Sequence, residues 1–266
     1  MKILIKIFFF TILAVTVLSC EDIIDVKLNN TEPRIVINAK LYDQFQPATV
    51  IITKTSDFFD TLTFNTVSGA EVKISDNEGN TVSIPESDSA GVYTENFFGK
   101  IGKTYTLTVI TNGQTYTANA KMEPPIAVDS LIATYRTNPL PYQETGYDIS
   151  CRLKDSANFN QYAKLDISKN QKQSFEIYLF EDTYTDGNDF EYKFYNETFQ
   201  IGDTAAVFVS SCDPQVYEYL YTYAETTSDA FHNSGTPYNP TSNLSNNALG
   251  YFGVFSLSGA FLIIEE

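Results

Sequence analysis

Cys20 is the residue whose surroundings predict its chemistry most directly. It ends the run Val17-Leu18-Ser19-Cys20, which follows two lysines and an apolar stretch over residues 7–18. That stretch is shorter than the ~20 residues of a membrane-spanning helix and is typical of a secretory signal. A branched residue three places before a cysteine and a small one directly before it match a bacterial lipobox. We therefore predict a signal peptide over residues 1–19 and acylation of the Cys20 thiol. An ordinary signal peptide with a chance cysteine is the alternative.

The segment that follows Cys20 predicts a tether. Residues 20–31 begin with the acids Glu21, Asp22 and Asp25 and continue with polar residues, a composition typical of an extended linker. Two or three acyl chains, at ~0.8 kcal/mol per buried methylene, would make the anchor essentially permanent. Acids beside a lipidated cysteine also resemble the export signal of Bacteroidetes lipoproteins. We expect anchoring in the outer membrane, facing the cell surface, and a merely acidic tether is the alternative.

The two other cysteines, Cys151 and Cys212, allow two interpretations. In an oxidising compartment they could form a disulfide, which would close a loop of about 60 residues and add a few kcal/mol of stability. Two buried free thiols explain the residues equally well, and the sequence leaves both alternatives open.

Residues suited to catalysis are scarce. His232 is the only histidine, so a Ser-His-Asp triad and a multi-histidine zinc site are nearly excluded. Asp182, Asp186 and Asp189 lie in a predicted hairpin turn. A calcium loop is the alternative there, although EF-hand spacing and a closing glutamate are missing. We predict no enzymatic activity, no metal and no cofactor.

Two aromatic pairs predict contact surfaces. Phe58 and Phe59 follow the second predicted strand, and Phe97 and Phe98 precede a Gly-Lys turn. Adjacent residues of a strand face opposite sides, so one member of each pair should leave the core. Exposed aromatic side chains anchor interfaces or stack on ligands. A core residue with a half-covered neighbour is the simpler interpretation.

A third pattern concerns hydroxyl groups. Aspartate, then Ser or Thr, then a small or aliphatic residue recurs along the chain more often than the roughly one or two occurrences that ordinary composition gives. The pattern resembles the O-glycosylation acceptor of exported Bacteroidetes proteins, and an attached glycan requires an exposed turn. The candidate hydroxyls are those of Thr61, Ser89, Ser130, Ser156 and Thr204.

The acidic composition narrows the class of partner. The chain has 33 Asp and Glu against 17 Lys and Arg, a formal charge of −16. Cleavage before Cys20 would remove Lys2 and Lys6 and no acid, giving about −18. Phosphate backbones repel such a surface, so we expect no nucleic-acid partner.

Residues 32–123 predict a Greek-key β-sandwich of immunoglobulin or transthyretin type. Short alternating strands are separated by turn residues, most clearly at Asp76–Asn80 and at Asn112-Gly113, which tolerate left-handed φ. Pro124-Pro125 then interrupts the pattern and predicts a domain boundary.

Residues 126–266 predict a second β-rich domain with one helix. Asp213 is a suitable N-cap and Pro214 suits the first helical position. The apolar face of this helix recurs at helical spacing and comprises Val216, Tyr219, Leu220 and Tyr223. Gly250–Leu257 and Ala260–Ile264 would form a closing pair of strands. The predicted fold class is therefore mainly β, with an N-terminal Greek-key sandwich followed by a β-rich domain with one helix.

Several motifs occur in an order that is specific although each is weak alone. They are the lipobox, residues 31–37, residues 67–80, Gly91-Val92-Tyr93, residues 102–107 and 124–130, residues 217–220 and residues 242–253. Together they resemble a family of Bacteroidetes lipoproteins known as domain of unknown function 4249. The resemblance covers nearly the whole chain after Cys20.

This resemblance implies a function without implying catalytic residues. Genes of the family commonly lie beside those of TonB-dependent outer-membrane transporters. The resemblance therefore implies an accessory that docks on such a transporter and helps to capture a solute, whose identity the residues do not give. A free-standing surface binder of glycan, peptide or another cell is the alternative, because sandwich loops serve equally well. A hydrolase comes third, since no nucleophile–base set is recognisable.

Overall fold

The computed structural model describes residues 32–56, 65–137, 139, 144–154, 156, 159–182, 187–227 and 238–265. The strands within these ranges are β1 (Ile35–Tyr42), β2 (Ala48–Lys54), β3 (Asn65–Thr66), β4 (Glu71–Asp76), β5 (Thr81–Ser83), β6 (Val92–Glu95), β7 (Thr104–Thr111), β8 (Gln114–Lys121), β9 (Ala127–Tyr135), β10 (Tyr147–Lys154), β11 (Tyr162–Lys169), β12 (Lys172–Gln173), β13 (Tyr178–Glu181), β14 (Phe190–Phe199), β15 (Thr204–Cys212) and β16 (Leu249–Ile263). One helix, α1 (Pro214–Thr227), lies in the same described part of the chain.

These strands form three sheets. A nine-stranded sheet has the order β12-β11-β15-β16-β1-β2-β3, with β13 also pairing with β11 and β6 with β2. A four-stranded sheet has the order β5-β4-β7-β8, and a three-stranded sheet the order β14-β10-β9. In the nine-stranded sheet β1 pairs in parallel with β16, and Ile37 lies opposite Gly250.

The first hydrophobic core lies between the four-stranded sheet and one end of the nine-stranded sheet. Alternate residues of β1 face it, and Ile37, Ala39 and Leu41 are fully buried. Leu107 and Val109 of β7 contribute from the opposite sheet. This two-sheet arrangement confirms the prediction of a mainly β fold with a β-sandwich and one helix.

The second core lies between the three-stranded sheet and the other end of the nine-stranded sheet. It contains Ile149, Cys151 and Phe194 from the smaller sheet and Val207 and Val209 from β15. Both cores therefore share a single long sheet, and Pro33–Glu266 forms one compact unit.

The order of the chain differs from the predicted consecutive domains 32–123 and 126–266. Pro124-Pro125 does separate β8 from β9, but the chain returns to the first core after β15. Nine described residues of this later part belong to that first core, namely Cys212, Val216, Leu220, Leu244, Ala248, Tyr251, Phe252, Val254 and Phe255. The physical reason is that β16 is long enough to serve both cores, since it pairs with β1 along its first half and with β15 along its second.

The predicted closing pair of strands, Gly250–Leu257 and Ala260–Ile264, is wrong. A single strand of 15 residues, β16, runs through both segments. The Ser258-Gly259 step resembles a turn in sequence, but Gly259 stays in the ladder opposite Phe208. The ring of Phe208 covers this glycine, since an added Cβ at Gly259 would lie 2.9 Å from a ring carbon.

The strongest local signals are confirmed. Asn112 and Gly113 both have positive φ and join β7 to β8. Asp213 caps α1, because the Val216 N–H donates to its Oδ1 at 2.9 Å. The same carboxylate accepts from the Lys121 N–H at 2.9 Å through Oδ2, which ties the helix to the edge of β8.

No helix in the described residues is long and apolar enough to cross a membrane.

For the two cysteines downstream of Cys20, the structure agrees with the second predicted alternative, two buried free thiols. Cys151 and Cys212 are both free and buried. The disulfide is not formed, because Cys151 lies in the three-stranded sheet within the second core and Cys212 lies at the end of β15 within the first. Burial raises the pKa of the Cys151 thiol to about 12, and it also raises the pKa of Cys212.

Candidate functional site

An exposed phenylalanine stands in the bend that follows β1. Residues 43–46 form this bend, and the side chain of Phe45 is 78% exposed. Its φ of +63° is the left-handed conformation, which is uncommon for a bulky non-glycine residue and costs about 1–2 kcal/mol. A large apolar ring is therefore presented to solvent in a backbone conformation that phenylalanine does not favour.

Hydrogen bonds to β16 hold the bend in place. The Asp43 N–H donates to the Phe255 carbonyl at 3.1 Å, and Asp43 Oδ1 accepts from the Leu257 N–H at 3.0 Å. The Gln44 side-chain amide donates to the Leu257 carbonyl at 2.9 Å. These bonds take up backbone groups of β16 just beyond the end of β1, so the position of Phe45 is fixed by the sheet itself.

Further apolar side chains lie at the same end of the sandwich. The Gly99 N–H donates to the Tyr42 carbonyl at 2.8 Å, which places the segment after β6 beside the end of β1. That segment exposes Phe98 (37%) and Ile101 (51%). We call Phe45, Phe98 and Ile101 the Phe45 surface.

A second group of apolar residues lies on the outer face of the nine-stranded sheet, away from its cores. Val207 and Val209 point into the second core, so Phe208 points outward, and Phe261 and Ile263 share that outer face by their register with β15. Phe208, Phe261 and Ile263 are all exposed. We call these three residues the outer strip.

Charged residues lie on the outer face of the nine-stranded sheet, between the Phe45 surface and the outer strip. Lys164 forms an ion pair with Asp166, and the Gln173 amide also donates to Asp166 at 2.6 Å. Burial lowers the pKa of Lys40, and the ammonium of Lys164 lowers it further. Burial raises the pKa of Tyr42 to about 12. The middle of this face is thus polar and partly covered, while the apolar groups lie at its ends.

The predicted interface residues divide into two sets. Phe58 and Phe59 lie outside the described residues, as do Cys20, Thr61 and His232. Phe97 is half-buried and packs edge-on against Tyr105 with ring centroids 6.2 Å apart. Its neighbour Phe98 is the exposed member of the pair, although both residues lie beyond the end of β6 and not in a strand.

The remaining candidate hydroxyls differ in their surroundings. Ser89 and Ser156 are exposed outside strands, whereas Ser130 and Thr204 are half-buried within β9 and β15. Because an attached glycan requires an exposed turn, the geometry favours Ser89 and Ser156 as acceptors.

Groups that could perform catalysis do not converge in the described part of the chain. No group of three or more His, Cys, Asp or Glu side chains there could hold a metal ion. The thiols of Cys151 and Cys212 are buried with raised pKa, and a thiol of this kind is a poor nucleophile. Asp182 is buried.

Phe45 was missed by the sequence reasoning. The Asp43–Pro47 segment reads as an ordinary turn, and nothing local indicates that its phenylalanine adopts positive φ. The available signal was an aromatic residue in a polar turn two positions before a proline, which departs from the usual turn composition.

Comparisons with known proteins identify a family and little else. A family model described as "Domain of unknown function (DUF4249)" matches residues 21–258. No curated protein matches the chain. Twenty-one chains of solved structures match it. One is described as "Crystal structure of chicken CNTN1 FN1-FN3 domains", with 11% identity, a TM-score of 0.28, and coverage of 69% of this chain and 62% of that chain. The match thus spans less than two thirds of that chain's length.

Proposed function

The chain belongs to the family described as Domain of unknown function (DUF4249), and we propose that it is a non-enzymatic, surface-exposed lipoprotein of the outer membrane. We infer further that it docks on a TonB-dependent transporter and helps to capture a solute. The transporter is the partner that the family resemblance implies. We infer the capture role because a protein tethered to the membrane can hold a bound solute close to the transporter.

The observation that carries the docking proposal is the conformation of Phe45. An exposed ring in a costly conformation is retained when the surrounding structure fixes it and a function uses it. The hydrogen bonds to Leu257 and Phe255 provide that rigidity. A rigid aromatic anchor loses little entropy when it enters a pocket, and aromatic anchors dominate the energy of many interfaces.

The position of the Phe45 surface also suits a partner in the same membrane. The chain enters β1 at Ile35 and reaches Phe45 only after the strand has run about 25 Å. A fully extended segment 20–33 could span up to about 45 Å, which exceeds the length of β1. The tether is therefore long enough for the Phe45 surface, at the far end of β1, to contact a neighbour in the same membrane. Tethering also raises the local concentration of the partner, and a weak contact then suffices.

Acylation is tested by the change Cys20→Ala. We expect it to abolish labelling by a fatty-acid probe, whereas Cys151→Ala should leave labelling intact because Cys151 is a buried free thiol. Protease treatment of intact cells then tests which side of the membrane the protein faces. Labelling of the Cys20→Ala variant, or full protection from protease in intact cells, would contradict the proposal.

Docking is tested by the change Phe45→Asn. Asparagine tolerates positive φ, so thermal stability should be unchanged or slightly higher, while the large contact side chain is removed. After gentle detergent extraction and affinity purification, wild-type protein should recover a stoichiometric β-barrel receptor. The variant should recover at least about ten-fold less, as for a typical interface hot spot.

Tyr195→Thr is the matched control for docking. Tyr195 is 64% exposed and lies on β14 in the three-stranded sheet, whereas the Phe45 surface follows β1 and β6 of the nine-stranded sheet. It should recover the receptor as well as wild type does. Recovery of the lipoprotein alone from wild-type cells, with transport unchanged on deletion, would instead support a free-standing surface binder.

A further inference from the structure

The second half of β16 begins where its pairing with β1 ends. The parallel ladder stops at Phe255. The next backbone pair on that side belongs to Leu257, whose N–H and C=O are bonded by the side chains of Asp43 and Gln44, at 3.0 and 2.9 Å. Beyond this point the strand continues to Ile263 with β15 as its neighbour on the other side. The side that faced β1 is therefore an edge of the sheet.

Three residues of this edge carry free backbone groups. In an antiparallel ladder the pairs that point away from the neighbouring strand recur at every second residue. Since the pair of Leu257 points away from β15, those of Gly259, Phe261 and Ile263 do so as well. No hydrogen bond to these six groups occurs in the described part of the chain. Gly259 and Phe261 are exposed, so the adjacent strand β9 leaves this edge uncovered.

The edge also lacks the features that usually protect an exposed strand. Natural edges are blocked by charged residues, proline or bulges. Residues 258–264 contain no charged residue and no proline, and they pair with β15 without a shift of register. The edge strand β14, in contrast, carries the charged residues Glu191, Lys193 and Glu197. An unprotected edge of this kind is a template for the addition of another strand.

The outer strip lies along the same edge. Phe261 is 77% exposed, and Phe208 and Ile263 are about half exposed. Phe208 extends toward the edge, because its ring covers Gly259. Exposed apolar groups that lie together mark interaction surfaces. A strand added here would therefore gain backbone hydrogen bonds and would bury apolar side chains at the same time.

The pattern of the edge is complementary to itself. In an antiparallel pair centred on Phe261, each copy of the chain places Ile263 opposite Gly259 of the other copy. All six free groups of each copy are then hydrogen-bonded. The glycine has no side chain to compete with Ile263, which instead contacts the ring of Phe208. The two Phe261 side chains lie next to each other across the axis of the pair.

The length of the edge is complementary as well. β16 ends at Ile263, which in this register lies opposite Gly259 of the other copy. One position further along the edge, Leu257 is already bonded by Asp43 and Gln44. The strand of a second copy therefore ends where the free edge ends, whereas a longer extended segment of another protein would meet the bend at residues 43–46.

From the free edge, the outer strip and their self-complementary register, we propose that two copies of this chain pair through β16, antiparallel and centred on Phe261. The contact has twofold symmetry and joins the two nine-stranded sheets into one. The two outer strips form a single apolar cluster beside the axis. Such a contact is at the small end of specific interfaces, and anchoring of both copies in one membrane favours it. The proposal does not depend on the transporter, because it is tested without one.

Disulfide formation in intact cells tests the register. Phe261→Cys in the full chain places two thiols opposite each other, with Cα atoms about 5.5 Å apart, a separation that a disulfide can bridge. Under mild oxidation most of this variant should migrate as a covalent dimer. Ile263→Cys is the matched control, because two such thiols lie four residues apart along the paired strands, about 13 Å, and should not react. No dimer of Phe261→Cys, or equal amounts from both variants, would overturn the proposal.

Sedimentation equilibrium measures the strength of the pairing. Residues 20–266 with Cys20→Ala lack the acyl anchor and contain the whole compact unit Pro33–Glu266. At ~0.15 M salt, which screens repulsion between the two acidic copies beyond about 8 Å, we expect a reversible dimer with a Kd on the order of 10 μM. A protein that is still monomeric at about 0.3 mM would refute the pairing and leave the edge to a strand of another protein.

The change Phe261→Lys should break the pairing at its centre. It places two lysines directly opposite each other, and lysine is a residue that natural edges use against pairing. Because Phe261 is exposed, the fold should tolerate the change, while the Kd of the dimer should rise at least about 30-fold. Tyr195→Lys introduces the same charge on the edge strand β14 and should leave the dimer intact. A dimer that survives Phe261→Lys would place the contact on another surface and contradict the proposal.

Discussion

Alanine at position 250 is expected to lower the free energy of unfolding by about 4 kcal/mol or more, an exceptional loss for a single added methyl group. Gly250 has a φ of +89°, and an added Cβ would lie 2.0 Å from the carbonyl oxygen of Ile37 and 2.8 Å from its carbonyl carbon. Both are backbone atoms of β1, so no side-chain rotation relieves the contact. Urea denaturation followed by far-UV circular dichroism would measure the loss.

Gly113→Ala is the matched control for this prediction. Gly113 has a similar φ of +74°, but nothing lies within 4 Å of an added Cβ. Its replacement should therefore cost only the conformational term of about 1–2 kcal/mol. The excess loss at position 250 measures the close approach of β16 to β1. Equal losses at the two positions would contradict the parallel pairing of Ile37 with Gly250.

Residues 32–123 expressed alone are expected not to fold, although the sequence predicts a complete sandwich there. Nine of the 28 buried residues that the described part of the chain contributes to the first core come from beyond residue 211, among them the fully buried Phe252 and Val254. Without them β1 also loses its parallel neighbour. Each lost large core residue costs about 2–5 kcal/mol, and several such losses exceed the 5–15 kcal/mol that stabilise a typical domain.

Heteronuclear NMR would decide this prediction. The fragment 32–123 should give a narrow amide spectrum typical of an unfolded chain, whereas residues 33–265 should give a dispersed one. Addition of residues 124–265 in trans should restore dispersion if the missing core residues are the cause. A dispersed spectrum and cooperative unfolding of 32–123 alone would show that the first sandwich is independent.

Local chemistry accounts for the features that were predicted correctly. The Asn112-Gly113 turn and the Asp213 cap depend on residues within a few positions of one another. Positive φ and the bond to the Val216 N–H follow directly from residue types. Alternation of apolar and polar residues likewise predicted the strands on either side of this turn, β7 and β8, because the period of a strand depends only on its backbone.

Long-range pairing accounts for the features that could not be predicted. The bond from Gln44 to Leu257 joins residues 213 positions apart, and the pairing of β1 with β16 has a similar separation. Alternation shows that Tyr251 and Phe252 face opposite sides of a strand, but it does not show which strand is the neighbour. The predicted break at Gly259 was wrong for the same reason. A glycine in this position resembles a turn residue in the sequence, and only its pairing with Phe208, whose ring covers it, explains why it stays in a strand.

The candidate surfaces follow the same division. Phe97 and Phe98 were predicted as contact residues because a doubled aromatic is visible in the sequence itself. Phe45 was not predicted, because its conformation depends on hydrogen bonds between its neighbours Asp43 and Gln44 and the distant Leu257.

The parallel pairing of β1 with β16 has a consequence for biogenesis. During synthesis β1 emerges first of the described strands, and its neighbour β16 is delivered only about 210 residues later, since Val36 pairs with Leu249. Contacts of such long sequence separation form slowly, and until they form β1 has an open apolar edge of the kind that aggregates. Maturation should therefore be post-translational and dependent on holding chaperones, and a chain stalled before Leu249 should be a target for proteolysis.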